Sequence, residues 1–192
     1  MGSRTDGKAG EEGGAAASQR RIVLLTTGGT IEKTYDEFTG ALTNRGSIVQ
    51  RMLRRLKLPD TKISTRELLS KDSLHMTDED RRLVVAAVRE ELARTEPPGP
   101  PTSIVILHGT DTLCVTGELL ATELRAPRAP VVLTGAIRPY EMKQSDALQN
   151  LTESLLASSL LAPGVYVVAH GRALKFPGVV KDREGGTFTK SH

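Results

Sequence analysis

Four short, unbroken apolar runs set the limits on what this chain can fold into: Ile22 to Thr26, Ser103 to Leu107, Val131 to Thr134 and Val165 to Ala169. A strand that is apolar on both faces is buried on both faces, which is the condition of a parallel sheet covered by helices. The segments between the runs have helical spacing. In Ser47 to Leu58 the apolar residues fall at Ile48, Met52, Leu53 and Leu56, and Pro59 stops the pattern. Behind Thr77, a good N-cap with Asp80 three residues on, Leu83, Val84, Ala87, Val88 and Leu92 line one face. Further helices are predicted from about Val115 to Leu124 and from Ser145, as cap, to Leu160. A weaker strand is read at Lys62 to Leu68, a loop at Pro97 to Pro101, and a hairpin or extended arm from Ala173 to His192. Strands alternating with helices give an α/β fold: a mostly parallel sheet with helices on both faces and right-handed crossovers.

Composition narrows the class. Hydrophobic residues make up 38% of the chain but aromatics only 3%, with no Trp, so the core is built from Leu, Val, Ile and Ala. The net charge of +3 arises from 26 basic and 23 acidic residues and gives no face-sized basic patch. Nucleic acid is therefore not expected as a partner, and the cluster Arg51, Arg54, Arg55 and Lys57 reads as a solvated helix face. No apolar run is long enough to span a bilayer. The single cysteine, Cys114, excludes an intramolecular disulfide and a cysteine zinc cluster, fits a cytoplasmic setting, and reads as a small core residue. Met1 to Gln19 is rich in Gly, Ala, Ser and charge without an apolar signal core, so residues 1–20 are assigned to a disordered arm and 21–192 to one domain.

In open parallel sheets, ligands bind beyond the carboxyl ends of the strands. Beyond the strand ends of this chain come Thr30, then Ser73, then Thr110 with Asp111, then Arg138: a mouth rich in hydroxyls. Thr27-Gly28-Gly29-Thr30 is either a plain turn or a turn that presents a nucleophilic hydroxyl among backbone N–H donors. No Gly-Lys-Ser/Thr comes after it, so it is not a phosphate loop. His108-Gly109-Thr110-Asp111-Thr112 sets a carboxylate beside a hydroxyl, able to hold a substrate ammonium and to assist proton transfer. His108 could be a general base, but at the strand end it reads more readily as a hydrogen-bonded structural residue. There is no Gly-x-Ser-x-Gly elbow, and four scattered histidines offer no metal-binding pair, so neither a serine triad nor a metal is expected. Lys181, in a mildly apolar stretch, is either a solvated lysine or a base of lowered pKa.

The ordered series Thr-Gly-Gly-Thr-Ile (Thr27 to Ile31), Asp72-Ser73, His-Gly-Thr-Asp-Thr (His108 to Thr112), Thr-Gly-Ala-Ile-Arg-Pro (Thr134 to Pro139) and Val-Lys-Asp (Lys181) resembles the bacterial-type L-asparaginases. The resemblance covers about Arg21 to the end and corresponds to the larger, N-terminal domain of that family, implying a flavodoxin-like core. It implies Thr30 as primary nucleophile, assisted by Tyr35 from a flexible loop. It implies Ser73, with Asp72 as neighbour, at the substrate α-carboxylate and Asp111 at the α-ammonium. It further implies Thr110, Asp111 and Lys181 as a proton relay. Typical members continue into a smaller second domain that lends an acidic residue to a neighbouring subunit; this chain ends at His192, so the resemblance implies a short single-domain form. The activity implied is hydrolysis of L-asparagine to aspartate and ammonia, without cofactor or metal, by a homo-oligomer, dimer or tetramer. The alternatives are a glutaminase or amidotransferase-type amidase, and a non-catalytic amino-acid-binding module.

Overall fold

The apolar runs form the middle of a six-stranded sheet. The computed structural model describes residues 19–94 and 102–191. All but the last two residues of the expected arm, the loop expected at Pro97 to Pro101, and His192 lie outside them. The strands are β1 (Arg20–Gly28), β2 (Thr34–Asp36), β3 (Ala41–Thr43), β4 (Thr61–Lys71), β5 (Ser103–Leu107), β6 (Pro130–Thr134), β7 (Gly164–Ala169), β8 (Arg172–Lys175), β9 (Val179–Asp182) and β10 (Thr187–Lys190). The helices are α1 (Val49–Leu53), α2 (Asp78–Ala93), α3 (Leu113–Leu124) and α4 (Ala147–Ala157). The sheet order is β4-β1-β5-β6-β7-β8, parallel except for β8, which turns back antiparallel on β7. Two antiparallel hairpins stand outside it, β2–β3 and β9–β10.

Both faces of the sheet are covered, as the unbroken runs require. Val23 and Leu25 point to one side with Ile104, Ile106, Val131 and Leu133, where α2 and α3 contribute Val84, Val88, Leu113 and Leu120. Ile22 and Leu24 point to the other with Val105, Leu107 and Val132, against Val49 and Met52 of α1 and Leu151 and Leu155 of α4. The two-residue alternation of side chains along each strand divides one apolar run between two cores.

Three local expectations are corrected. The helix expected over Ser47 to Leu58 holds α geometry only over Val49–Leu53. Beyond it the backbone tightens to i→i+3 bonds, Arg55 N to Met52 O and Leu56 N to Leu53 O, both 3.0 Å, while Leu53, Leu56 and Leu58 still pack on the core. On α2 the capping box of Thr77 and Asp80 is present, but Leu83 faces solvent and Arg81 takes a buried place, with its guanidinium on the Met76 carbonyl. The cap of α4 is Asp146 rather than Ser145. Its carboxylate is drawn to the backbone N–H groups of Ile137 and Arg138, leaving Ser145 Oγ to accept from Ala147 N at 3.0 Å.

A half-buried thiol and a buried imidazole behave as structural residues. Cys114 packs against the α3 side of the core, and burial, followed by the charge of Glu118, pushes its thiol up to about 11, so it is inert. His108 is fully buried between β5 and α3. Its Nδ1 lies 2.9 Å from the Gly109 carbonyl, which can only accept, so Nδ1 carries the proton and Nε2 accepts from Thr116 Oγ1 at 2.8 Å. Burial drives its pKa down to about 4. The neutral ring thus stabilises the fold above the ordinary value near 6.5, and this contribution is lost as pH falls toward 4, because only the unfolded chain then takes up the proton. The parent should lose about 3 kcal/mol more than a His108→Gln variant between about pH 7 and about pH 4, measured by denaturant titration. Equal acid sensitivity of the two would show that His108 does not set it.

Candidate active site

Five loops meet at the carboxyl end of the sheet. The first comes after β1, where Gly28 and Gly29 have φ of 94° and 81°, a left-handed region that a side chain strains. The two threonines of this turn differ. Thr27 is fully buried and its hydroxyl is spent on the Leu107 carbonyl at 3.0 Å, locking β1 to β5. Thr30 opens a one-turn 3-10 helix, Thr30–Glu32, is only part-buried, and its hydroxyl bonds to none of the described residues. Of the two hydroxyls, only that of Thr30 is free for a ligand.

The neighbouring loops approach so closely that a side chain at either Gly29 or Gly109 would have no room. A Cβ on Gly29 would sit 2.4 Å from Cα and N of Gly109, and one on Gly109 would sit 2.5 Å from Oγ of Ser73. The turns after β1, β5 and β4 are therefore layered directly on one another. Thr30 and Thr110 each stand one residue beyond the Gly29–Gly109 contact. Ser73 is buried beneath Gly109, and its carbonyl accepts the Thr112 hydroxyl at 2.9 Å.

Lys181 arrives from β9. Its Nζ donates to Thr110 Oγ1 and to Asp111 Oδ1, both at 2.9 Å, with Thr110 buried and the lysine side chain largely covered. This juxtaposes residues 71 positions apart in the chain. Strand β9 is held in place by α3. Glu118 Oε1 accepts from Gly178 N at 2.6 Å and Val179 N at 3.3 Å, and the Phe176 ring fills the notch left by Gly117. Arg183 adds a second cation at Asp111 Oδ1, 3.4 Å away, and leaves Oδ2 open.

The remaining expected site residues are dispersed around this centre. Asp72 accepts from Leu74 N at 3.0 Å and pairs with Lys33 at 2.5 Å; the Lys33 hydrogen bond, more than the Leu74 one, holds its carboxyl below the usual range. Tyr35 lies on the β2–β3 hairpin with its ring in solvent. Its backbone N–H, not its hydroxyl, is tied, to Glu141 at 2.8 Å. Arg138 turns away from the mouth to Gln144. Among the described residues no group of three or more His, Cys, Asp or Glu side chains could hold a metal, and no helix is long and apolar enough to cross a membrane.

Three features of the site were not read from the sequence: Lys33 on Asp72, Arg183 on Asp111, and Glu32. Glu32 is almost fully buried, accepting from Gly28 N at 3.2 Å and from Ser47 Oγ. Burial, against the lowering effect of Ser47, pushes its carboxyl up to about 7. The Thr-Gly-Gly-Thr motif drew attention to Thr30, and nothing in the spacing marks the glutamate two residues on.

Comparison with known proteins gives the family and the fold. The chain is 37% identical over 143 residues to an L-asparaginase of Thermococcus kodakarensis, covering 73% of this chain and 41% of that protein. It is 30% identical over 149 residues to a subunit of the glutamyl-tRNA(Gln) amidotransferase of Methanococcus vannielii, covering 76% and 33%. The fold superposes on the thermostable L-asparaginase from Thermococcus kodakarensis with a TM-score of 0.75 and 30% identity, over 88% of this chain and 51% of that one. It also superposes on a probable cytoplasmic L-asparaginase from Campylobacter jejuni, with a TM-score of 0.71 and 25% identity over 89% and 51%. The chain spans between a third and about half the length of these relatives. A model of the asparaginase N-terminal domain matches residues 21–184, most of the chain, which therefore belongs to the asparaginase family.

Proposed function

We propose that the chain is an amidohydrolase that converts L-asparagine and water to L-aspartate and ammonia, with Thr30 as the nucleophile. The observation that carries this reading is the lysine of β9 bonded at once to Thr110 and Asp111, facing a glycine turn whose one free hydroxyl is that of Thr30. A binding module needs a carboxylate for the substrate ammonium; it does not need a covered lysine spanning a hydroxyl and that carboxylate.

In this reading Thr30 Oγ attacks the side-chain amide carbon while N–H groups of the glycine turn stabilise the developing oxyanion. The Thr30 proton leaves through Lys181, Thr110 and Asp111 to the amide nitrogen as the C–N bond breaks and ammonia departs; water then adds to the acyl carbon, the bond to Thr30 breaks with return of a proton to its oxygen, and aspartate is released. Asp111 Oδ2 takes the substrate ammonium, and Ser73, with Asp72 alongside, faces the α-carboxylate. Tyr35 assists Thr30 once the hairpin folds over the substrate. The protein acts in the cytoplasm as a homo-oligomer, without cofactor. The likeness to part of an amidotransferase keeps glutamine amide chemistry as the second reading, with the same residues in the same roles.

Ammonia release from L-asparagine, with L-glutamine in parallel, tests the assignment on the purified chain. Release chiefly from asparagine supports it, release chiefly from glutamine moves the substrate, and none from either in a folded protein that binds aspartate supports a binding module. Thr30→Ala should abolish turnover while leaving aspartate binding within a few-fold; surviving turnover would remove Thr30 as nucleophile. Glu118→Ala, remote from the mouth, should lower kcat by up to about 100-fold by letting β9 and Lys181 drift. An unchanged kcat would show that β9 needs no such anchor.

A further inference from the structure

Glu32 occupies a place that the reaction just described does not use. Between Glu32 and Ser47 the chain leaves the body of the protein, forms the β2–β3 hairpin that carries Tyr35, and returns. Glu32 and Ser47 are thus the two feet of the hairpin, and their side chains bond each other. The other oxygen of the same carboxyl group accepts from Gly28 N, inside the nucleophile turn. A second tie runs alongside, Asn44 Nδ2 to the Gly29 carbonyl at 2.9 Å. One buried carboxyl group therefore touches the turn that holds Thr30 and both ends of the hairpin that holds Tyr35.

Beyond its feet the hairpin has little to fix it. Its large apolar side chains are exposed, Tyr35 at 62%, Phe38 at 90% and Leu42 at 37%, and a two-stranded ribbon without an apolar face is marginal in water. Its outer contact is Tyr35 N on Glu141, while at its feet Lys33 pairs with Asp72 and Gly46 N donates to Ser70 Oγ at 3.1 Å. Its position is set at its feet.

Resting on the reading of Thr30 as nucleophile, we propose that Glu32 is a positioning residue for the reaction, a clasp that fixes the nucleophile turn and the Tyr35 hairpin relative to each other. It touches no reacting atom and acts through Gly28 and Ser47.

The surroundings give the clasp a pH dependence. From β4, Glu67 is the charged group facing Glu32, and its like charge works in the same direction as burial; Ser47 and the backbone of Gly28 and Ile48 oppose it. Glu67 also accepts Ser47 N at 3.0 Å, so it belongs to the same foot. Closed, the carboxyl titrates at about 7; opened to water it returns toward its ordinary value of 4.5. Raising the pH from about 4.5 to about 7 therefore favours the open form, because over that range only the hydrated carboxyl is ionised; above 7 both forms are ionised and the preference levels off.

The test compares Glu32→Gln, Glu32→Ala and Ser47→Ala with the parent at about pH 5 and about pH 8. The readouts are KM and kcat for asparagine and amide hydrogen exchange over residues 33–46, corrected for intrinsic rates. Glu32→Ala and Ser47→Ala should each speed exchange of the hairpin by about tenfold, leave β5 and β6 unchanged, and raise KM more than they lower kcat. Glu32→Gln, which can accept from Gly28 and donate to Ser47, should restore the closed hairpin at the lower pH. It should also lack the loosening that the parent shows at the higher pH. Hairpin exchange identical to the parent in Ser47→Ala, or a Gln variant that loosens with pH as the parent does, would overturn the clasp, even if Glu32→Ala fails to fold. The exchange readout needs no turnover, so it decides the clasp separately from the fate of Thr30→Ala.

Discussion

At the carboxyl end of the sheet backbone packs on backbone, and the site depends on that contact. Gly29 lies against the Gly109 backbone and Gly28 against that of Lys71, at separations that leave no room for a single carbon, and Gly109 in turn closes over the Ser73 side chain. Loops that meet through side chains stand several ångströms further apart and shift with rotamers; loops that meet at the main chain share one rigid floor. The two threonines of the site sit one residue beyond the first of these contacts. Their mutual placement is thus inherited from β1 and β5, which pair in parallel from Ile22↔Ser103 to Thr26↔Leu107 and are locked again by Thr27 on the Leu107 carbonyl. His108, buried beneath and bonded to Thr116, ties the same floor to α3.

The lysine comes from outside this floor. Strand β9 belongs to a separate hairpin, and it reaches the mouth across α3. The helix meets it with a notch at Gly117 filled by Phe176 and with Glu118, whose carboxylate takes two backbone N–H groups at the start of β9. From there, three residues of extended chain carry the polypeptide from Gly178 to Lys181. An apolar contact and a charged hydrogen bond, both remote from the mouth, thereby set where Nζ lies. This division, a rigid floor from the sheet and an incoming cation from a docked hairpin, is what makes Glu118 as consequential as residues nearer the mouth.

Much of the fold was legible because the determinant was local. Strands β1 and β5–β7 are unbroken apolar runs, and α2 announces itself by Thr77 and Asp80. The β2–β3 hairpin was not legible, since Thr34-Tyr35-Asp36 and Ala41-Leu42-Thr43 bury no large apolar side chain and have no apolar period to read. The tail was ambiguous for the same reason: Arg172–Lys175 becomes a strand only because the edge of β7 is there to receive it. Where the chain departs from expectation at α1 and at the α4 cap, a tertiary partner decides: the core accepts Leu56 from a tightened turn, and the Ile137–Arg138 loop claims Asp146. At the site, Thr30, Ser73, Thr110 and Asp111 could be found by looking just past each strand end. Lys33, Glu32, Glu118 and Arg183 could not, because each matters through a partner 4 to 72 positions away that no spacing rule supplies.

The ion pairs at the mouth are unequal, and the inequality bears on how a charged ligand enters. Asp111 Oδ1 holds Lys181 at 2.9 Å and Arg183 at 3.4 Å, but the lysine side chain is 16% exposed and the arginine 72%. An exposed pair at the longer distance contributes little, about 0 to 1 kcal/mol, and exchanges readily. A covered lysine that also bonds Thr110 does not, since removing its partner would strand a charge away from water. A ligand ammonium approaching Asp111 therefore meets one cation that yields and one that stays, and it can reach Oδ2 without disturbing the contact that aligns Lys181 with Thr110. Asp72 presents the same pattern from the other side, its charge already met by Lys33. Both carboxylates at the mouth thus arrive with a cation in place. With the amino-acid substrate proposed above, opposite charges on the entering zwitterion would trade contacts with pairs that already exist, which spares the site the cost of holding a bare carboxylate before the ligand comes.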